Sequence, residues 1–163
     1  MPRTLVIGYG NLDRSDDGAA YHVINGLRRR LGQSALAEDE TGLETLSGSI
    51  DSIFLTQLAP HLVNVVADYD EVMFVDAHVY PQAPDLFCQA VQPEAAQHAS
   101  THHLTPQLLL ALVRKLRAQS PAGHIVSIRG HEFDFGRQLS PSTSILVEAA
   151  VQNVLALIQP PVS

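Results

Sequence analysis

The chain has 163 residues, 45% of them hydrophobic and 17% charged, which excludes the disordered class and gives one domain with enough chain to bury a core. Ten basic residues against seventeen acidic ones leave a formal net charge of −7, so the Lys and Arg cluster that neutralises phosphates is missing and no nucleic-acid partner is expected. A single cysteine, Cys88, excludes an intramolecular disulfide and a cysteine-rich zinc site. The apolar runs are short, and Met1-Pro2-Arg3-Thr4-Leu5 lacks the layout of a signal peptide, so the expectation is a cytoplasmic protein without membrane insertion.

In chain order, Leu5-Val6-Ile7 is a β-branched run that ends at Gly8-Tyr9-Gly10, a buried strand entering a tight loop. After Asp16-Asp17-Gly18, the apolar residues Ala20, Val23, Ile24, Leu27 and Leu31 recur at helical spacing, and Gly32 is the expected stop. Asp16 or Asp17 would then cap the helix start, and Arg28-Arg29-Arg30 would form its solvated last turn. Residues 33–50 show no clear pattern. Ile53-Phe54-Leu55 reads as a second strand, and Pro60 opens a helix through Leu62, Val65 and Val66. Val72-Met73-Phe74-Val75 is the clearest buried strand, ending at Asp76; residues 80–84 form a loop and residues 86–91 another strand. Thr105-Pro106 and Ser140-Pro141 repeat one signal, a capping residue followed by proline at the first helical position, and so open two helices. Ile125-Val126-Ser127-Ile128 lies between them as a strand.

Strands alternating with helices predict an α/β sandwich around a mostly parallel sheet, here a single domain over residues 1–163. Ligands gather beyond the carboxyl ends of the strands in such sheets, so the expected site is a crevice between the Gly8-Tyr9-Gly10 loop and Asp76. A dinucleotide fingerprint is rejected: the third glycine is replaced by Asp13, and Asp13, Asp16 and Asp17 would repel a pyrophosphate. No P-loop, Gly-x-Ser-x-Gly elbow or His-Glu-x-x-His pair occurs. Cys88 reads as a small buried hydrophobe within a strand. Asp76 at a strand end is costly to bury unless paired or metal-bound, and carboxylates from the first loop suit hard or borderline cations. Imidazole is the commonest neutral metal ligand. His102-His103 lies just ahead of the Thr105-Pro106 helix, with His98, His78 and His131 as rivals that spacing leaves open.

Gly8-Tyr9-Gly10-Asn11-Leu12 followed by Asp16-Asp17-Gly18 resembles the opening motif of the NiFe-hydrogenase maturation endopeptidases. Phe74-Val75-Asp76-Ala77 looks like that family's second motif, and Ser100-Thr101-His102-His103-Leu104 followed by Leu109-Leu110 like its third. Gln57-Leu58-Ala59-Pro60 and the stretch from Gly136 to Pro141 match a branch of the family, so the likeness spans roughly residues 4 to 158. The resemblance implies a three-layer α/β sandwich with a twisted sheet. It also implies an endopeptidase that removes a C-terminal extension from the nickel-loaded large-subunit precursor of a NiFe hydrogenase. On the same ground the metal-contacting and catalytic residues are Asp17, Asp76 and His102, with Asp16 and His103 as register rivals. The nickel is supplied by the substrate, the partner is that precursor, and a monomer is the default expectation. Three departures stand out: Ala19-Ala20 where many members keep a glycine, His61 where an acid is common, and no Gly-Thr-Ala-Gly segment. The alternative reading is a metal-sensing or chaperone module that binds the same precursor without cutting it; an unrelated small-molecule hydrolase on the same architecture is a third. Residues 33–56 are the expected substrate-recognition surface.

Overall fold

Four of the five strands run parallel, and all five join one sheet in the order β2-β1-β3-β5-β4. The computed structural model describes residues 2–46, 48–95 and 104–158. The strands are β1 (Thr4–Tyr9), β2 (Ile50–Leu55), β3 (Glu71–His78), β4 (Leu86–Val91) and β5 (Ala122–Arg129); β4 is the antiparallel edge. The helices are α1 (Ala19–Arg30), α2 (Leu62–Val66), α3 (Pro106–Arg117) and α4 (Pro141–Ile158).

Period-two alternation sorts the strand residues between two helical layers. Val6, Met73, Val75, Val126 and Ile128 face α1 and α4. Leu5, Ile7, Ile53, Val72 and Phe74 face α2 and α3. Both faces are covered, so the central strands read as continuous apolar runs rather than as an alternation. The α/β sandwich with a mostly parallel sheet is therefore the observed fold.

The local stop and start signals act as expected at three places. Gly32 takes a left-handed conformation with φ +73°, and the Gly32 and Gln33 N–H groups donate back to the Arg29 and Arg28 carbonyls, closing α1. The Thr105 hydroxyl accepts from Leu108 N–H at 3.1 Å, capping α3 ahead of Pro106. Ser140 stands before Pro141 at the head of α4, with its hydroxyl 3.4 Å from Thr143 N.

Four expectations are corrected. β3 does not end at Asp76 but runs on to His78, because β5 pairs with it in parallel register through Asp76–Ser127 and His78–Arg129. Neither Asp16 nor Asp17 caps α1; a 3₁₀ turn (Ser15–Gly18) precedes the helix, and both carboxylates bond elsewhere. Arg28 is buried rather than solvated, with its guanidinium donating to the carbonyls of Ser34 and Ser52. Cys88 is exposed rather than buried: β4 is the edge strand of the sheet, and Cys88, Gln89 and Ala90 in its middle are all exposed. α4 has the length and apolarity of a membrane span (mean hydropathy 1.3), and Ala150, Val151 and Val154 on its inner side are buried with α1 in the core.

Candidate functional site

The strand order reverses direction at β1: β2 lies on one side of it and β3 on the other. At such a switch point the connections leave on opposite faces and open a crevice at the carboxyl ends of the strands. A cleft of about 530 Å³ lies there. Tyr9 and Gly10 at the end of β1, Asp17 from the following turn, Asp76 from β3, Gln57 to Pro60 after β2, and Leu104 and Leu108 at the head of α3 line it.

Asp17 reaches this cleft because the loop after β1 is folded sharply. Gly10 has φ +152°, and a Cβ there would stand 1.9 Å from the Asp17 carbonyl oxygen, so only glycine allows the approach. Asn11 Oδ1 accepts from Asp13 N–H at 2.9 Å, and Asp17 Oδ2 accepts from Asn11 N–H at 2.8 Å. Among the described residues that is the hydrogen bond the Asp17 carboxylate receives.

Asp16, its neighbour, has the opposite surroundings. It is fully buried and accepts from His131 N–H, Glu132 N–H, Ser140 N–H, the Ser140 hydroxyl and the Thr143 hydroxyl at 2.7–2.9 Å. Burial alone would raise its pKa, but these hydrogen bonds outweigh burial and pull it down to about 2. Ser15 is held to the same segment, with its N–H donating to Gly136 O and its hydroxyl to Asp134 O. The register rival Asp16 is thus an anchor between the first loop and residues 131–143, and Asp17 is the acid that lines the cleft.

Asp76 lies on the side of β3 that faces α2 and α3. Ser127 is its register partner on β5, and Tyr9 is the last residue of β1. The Ser127 hydroxyl donates to Asp76 Oδ1 at 2.6 Å and the Tyr9 hydroxyl to Oδ2 at 3.0 Å. Burial raises the Asp76 pKa, the two hydroxyl donors oppose the rise, and the nearby Asp17 charge adds to it, leaving a value of about 6. Burial and the adjoining Asp76 carboxylate also push the Tyr9 phenol well above its ordinary value, so it remains a donor. A carboxyl titrating near 6 can take up or release a proton close to neutral pH, and two carboxylates facing one cleft offer oxygen ligands to a divalent cation.

Sequence reasoning missed Tyr9 and Ser127. The signal available was their position: each sits on the same side of its strand as Asp76, in adjacent parallel strands, near the carboxyl end. His102, with its rivals His98 and His103, lies outside the described residues. Leu104, two residues beyond His102, lines the cleft. His78 is buried, with Nδ1 accepting from Tyr80 N–H at 3.2 Å and Nε2 against Pro84 O at 3.1 Å, so both ring nitrogens serve the loop after β3. Burial and the Arg129 charge lower its pKa. His131 is exposed and joins the Asp16 anchor through its backbone. Among the described residues no three His, Cys, Asp or Glu side chains converge to hold a metal ion.

A second trough of about 510 Å³ adjoins the first and shares Gly10, Thr56, Gln57 and Ala59 with it. Glu38, Asp39 and Glu40 line it, so part of the segment without sequence pattern borders this second trough. Arg137 bridges Asp13 and Glu38 at its rim.

No family model matches the chain, and no curated protein matches it significantly. Solved structures do match. The hydrogenase maturating endopeptidase HybD from E. coli superposes with a TM-score of 0.69 at 16% identity, over 96% of this chain and 91% of that one. The [NiFe] hydrogenase maturation protease HybD from Thermococcus kodakarensis gives 0.63 at 17% identity, over 96% and 99%. The hydrogenase 2 maturation peptidase from Thaumarchaeota archaeon SCGC_AB-539-E09 gives 0.62 at 18% identity, over 98% and 99%. This chain shares the α/β fold of those proteases along nearly its whole length.

Proposed function

We propose that this protein is a hydrogenase-maturation endopeptidase that removes a C-terminal extension from the nickel-loaded large-subunit precursor of a NiFe hydrogenase in the cytoplasm. The observation that carries the reading is the meeting of Asp17 and Asp76, from separate motifs, in one cleft at the switch point of this fold. In the proposal Asp17, Asp76 and His102 recognise nickel that belongs to the substrate. A borderline divalent ion suits carboxylate and imidazole ligands together, and it polarises a peptide carbonyl or lowers the pKa of water. The placement of Leu104 in the cleft lining supports His102 as the third ligand, since the two are two residues apart in the sequence. The adjoining trough supports an extended peptide as the occupant, because it continues from the cleft through the shared residues Gly10, Thr56, Gln57 and Ala59.

The test is incubation of the purified protein with purified precursor, nickel-loaded and nickel-free, followed by mass spectrometry of the precursor's C-terminus. The expected result is a shortened product from the nickel-loaded form alone. Stable binding of the precursor with an intact C-terminus would replace the reading by the metal-sensing or chaperone alternative.

A further inference from the structure

We propose that Tyr9 and Ser127 are positioning residues that lock the Asp76 carboxylate in the orientation needed for precursor cleavage; this rests on the endopeptidase reading above. The three side chains form a row across adjacent parallel strands. Tyr9 closes β1, Asp76 lies near the end of β3, and Ser127 is the register partner of Asp76 on β5. All three emerge on the face that carries α2 and α3, and the row ends at the cleft that Tyr9 and Asp76 line.

The chemistry of the row is one-directional. Each hydroxyl has a single proton to donate, and an ionised carboxylate only accepts. Ser127 takes Oδ1 at 2.6 Å and Tyr9 takes Oδ2 at 3.0 Å, so each oxygen is tied by a different strand. A carboxylate held at both oxygens cannot rotate about its terminal torsion, which is otherwise a broad, soft degree of freedom. Each oxygen still keeps lone-pair capacity for a ligand. Ser127 is 1% exposed, and among the described residues its hydroxyl has no hydrogen-bond partner other than Asp76. Packing alone would be met by an apolar residue at that position, and a buried hydroxyl carries a desolvation cost unless it is bonded. The serine is therefore accounted for by the carboxylate it holds.

Two substitutions remove one donor each and keep the shape: Tyr9→Phe and Ser127→Ala. Two readouts are needed. The first is independent of the reaction, a crystal structure of each variant. The expected result is an unchanged backbone with the Asp76 carboxylate rotated or in two orientations. The second is steady-state cleavage of the nickel-loaded precursor. The expected result is a fall in kcat of about 10-fold for each variant, since misplacing a group at the reacting centre costs turnover. An Asp76 carboxylate that stays in place in both variants, or a kcat equal to that of the unaltered protein, would overturn the positioning role. A fall in thermal stability with unchanged kcat would make the row a structural feature and overturn it equally. Failure of the unaltered protein to cut the precursor would instead sink the endopeptidase reading, and the crystal structures would still decide whether the row holds Asp76.

Discussion

Asp16 and Asp17 are adjacent residues with the same side chain, and the two regions they serve differ in what surrounds that side chain. Around Asp16, backbone and hydroxyl donors from residues 131–143 converge on the carboxylate and leave it fully buried. Around Asp17, one backbone donor from Asn11 fixes the carboxylate, and its surface is turned to the cleft it shares with Asp76. The lesson is that hydrogen-bond saturation, not residue type or position in a motif, separates an anchoring acid from one that can bind a ligand. A carboxylate whose lone pairs are filled by the protein has little to offer a cation.

The comparison breaks first on activity. Asp17→Asn and Asp76→Asn are each expected to lower precursor cleavage by on the order of 10³-fold, the scale on which removal of one electrostatic contact at a reacting centre acts. Quantitative mass spectrometry of the C-terminus checks this, and circular dichroism should show both variants folded. Asp76→Asn is also expected to unfold at a higher temperature than the unaltered protein at pH 7, because it removes a charge that burial disfavours.

Asp16→Ala should show the reverse pattern. It leaves buried donors without an acceptor, at an expected cost of about 3 kcal/mol of stability, or roughly 10 °C in Tm. Urea denaturation checks the first figure and calorimetry the second. The cleavage rate per folded molecule should change far less than in Asp17→Asn.

The two regions should also separate by pH. The folded Asp16 pKa of about 2 is below the ordinary 3.8, so its stabilisation is full above 3.8 and is lost as pH falls towards 2. The folded Asp76 pKa of about 6 is above 3.8, so its contribution is full below 3.8 and is lost as pH rises towards 6. Stability measured across this range should therefore lose its acid limb in Asp16→Asn. It should lose its decline between pH 3.8 and 6 in Asp76→Asn. An unaltered acid limb in Asp16→Asn would contradict the anchor.

The smallest effect is expected at Cys88, exposed on the edge strand. Cys88→Ser should change stability by less than about 0.5 kcal/mol and leave cleavage unchanged, as thermal unfolding and the precursor assay would show.

Much of the architecture was legible in the residues themselves. Capping pairs at Thr105-Pro106 and Ser140-Pro141, the glycine after α1 and the apolar run before Asp76 act through contacts a few residues apart, and all four place elements correctly. Where sequence reading erred, the cause was a contact or a place in the sheet that the local residue pattern does not carry. The cap expected from Asp16 lost to donors from residues 131–143. The end of β3 was set by pairing with β5, and the exposure of Cys88 by the place of β4 at the edge. Arg28 turned inward because Ser34 and Ser52 offer carbonyls that no helical pattern announces.

The sequence alone determined which segments become strands and helices, and which acids sit near strand ends, because propensity, periodicity and capping are local physics. The tertiary structure decided which of two neighbouring aspartates is saturated, and it brought Tyr9, Asp76 and Ser127 into one row. Those outcomes depend on sheet order and register, which are set by the burial of both faces of the sheet at once and are not written in any single stretch of residues.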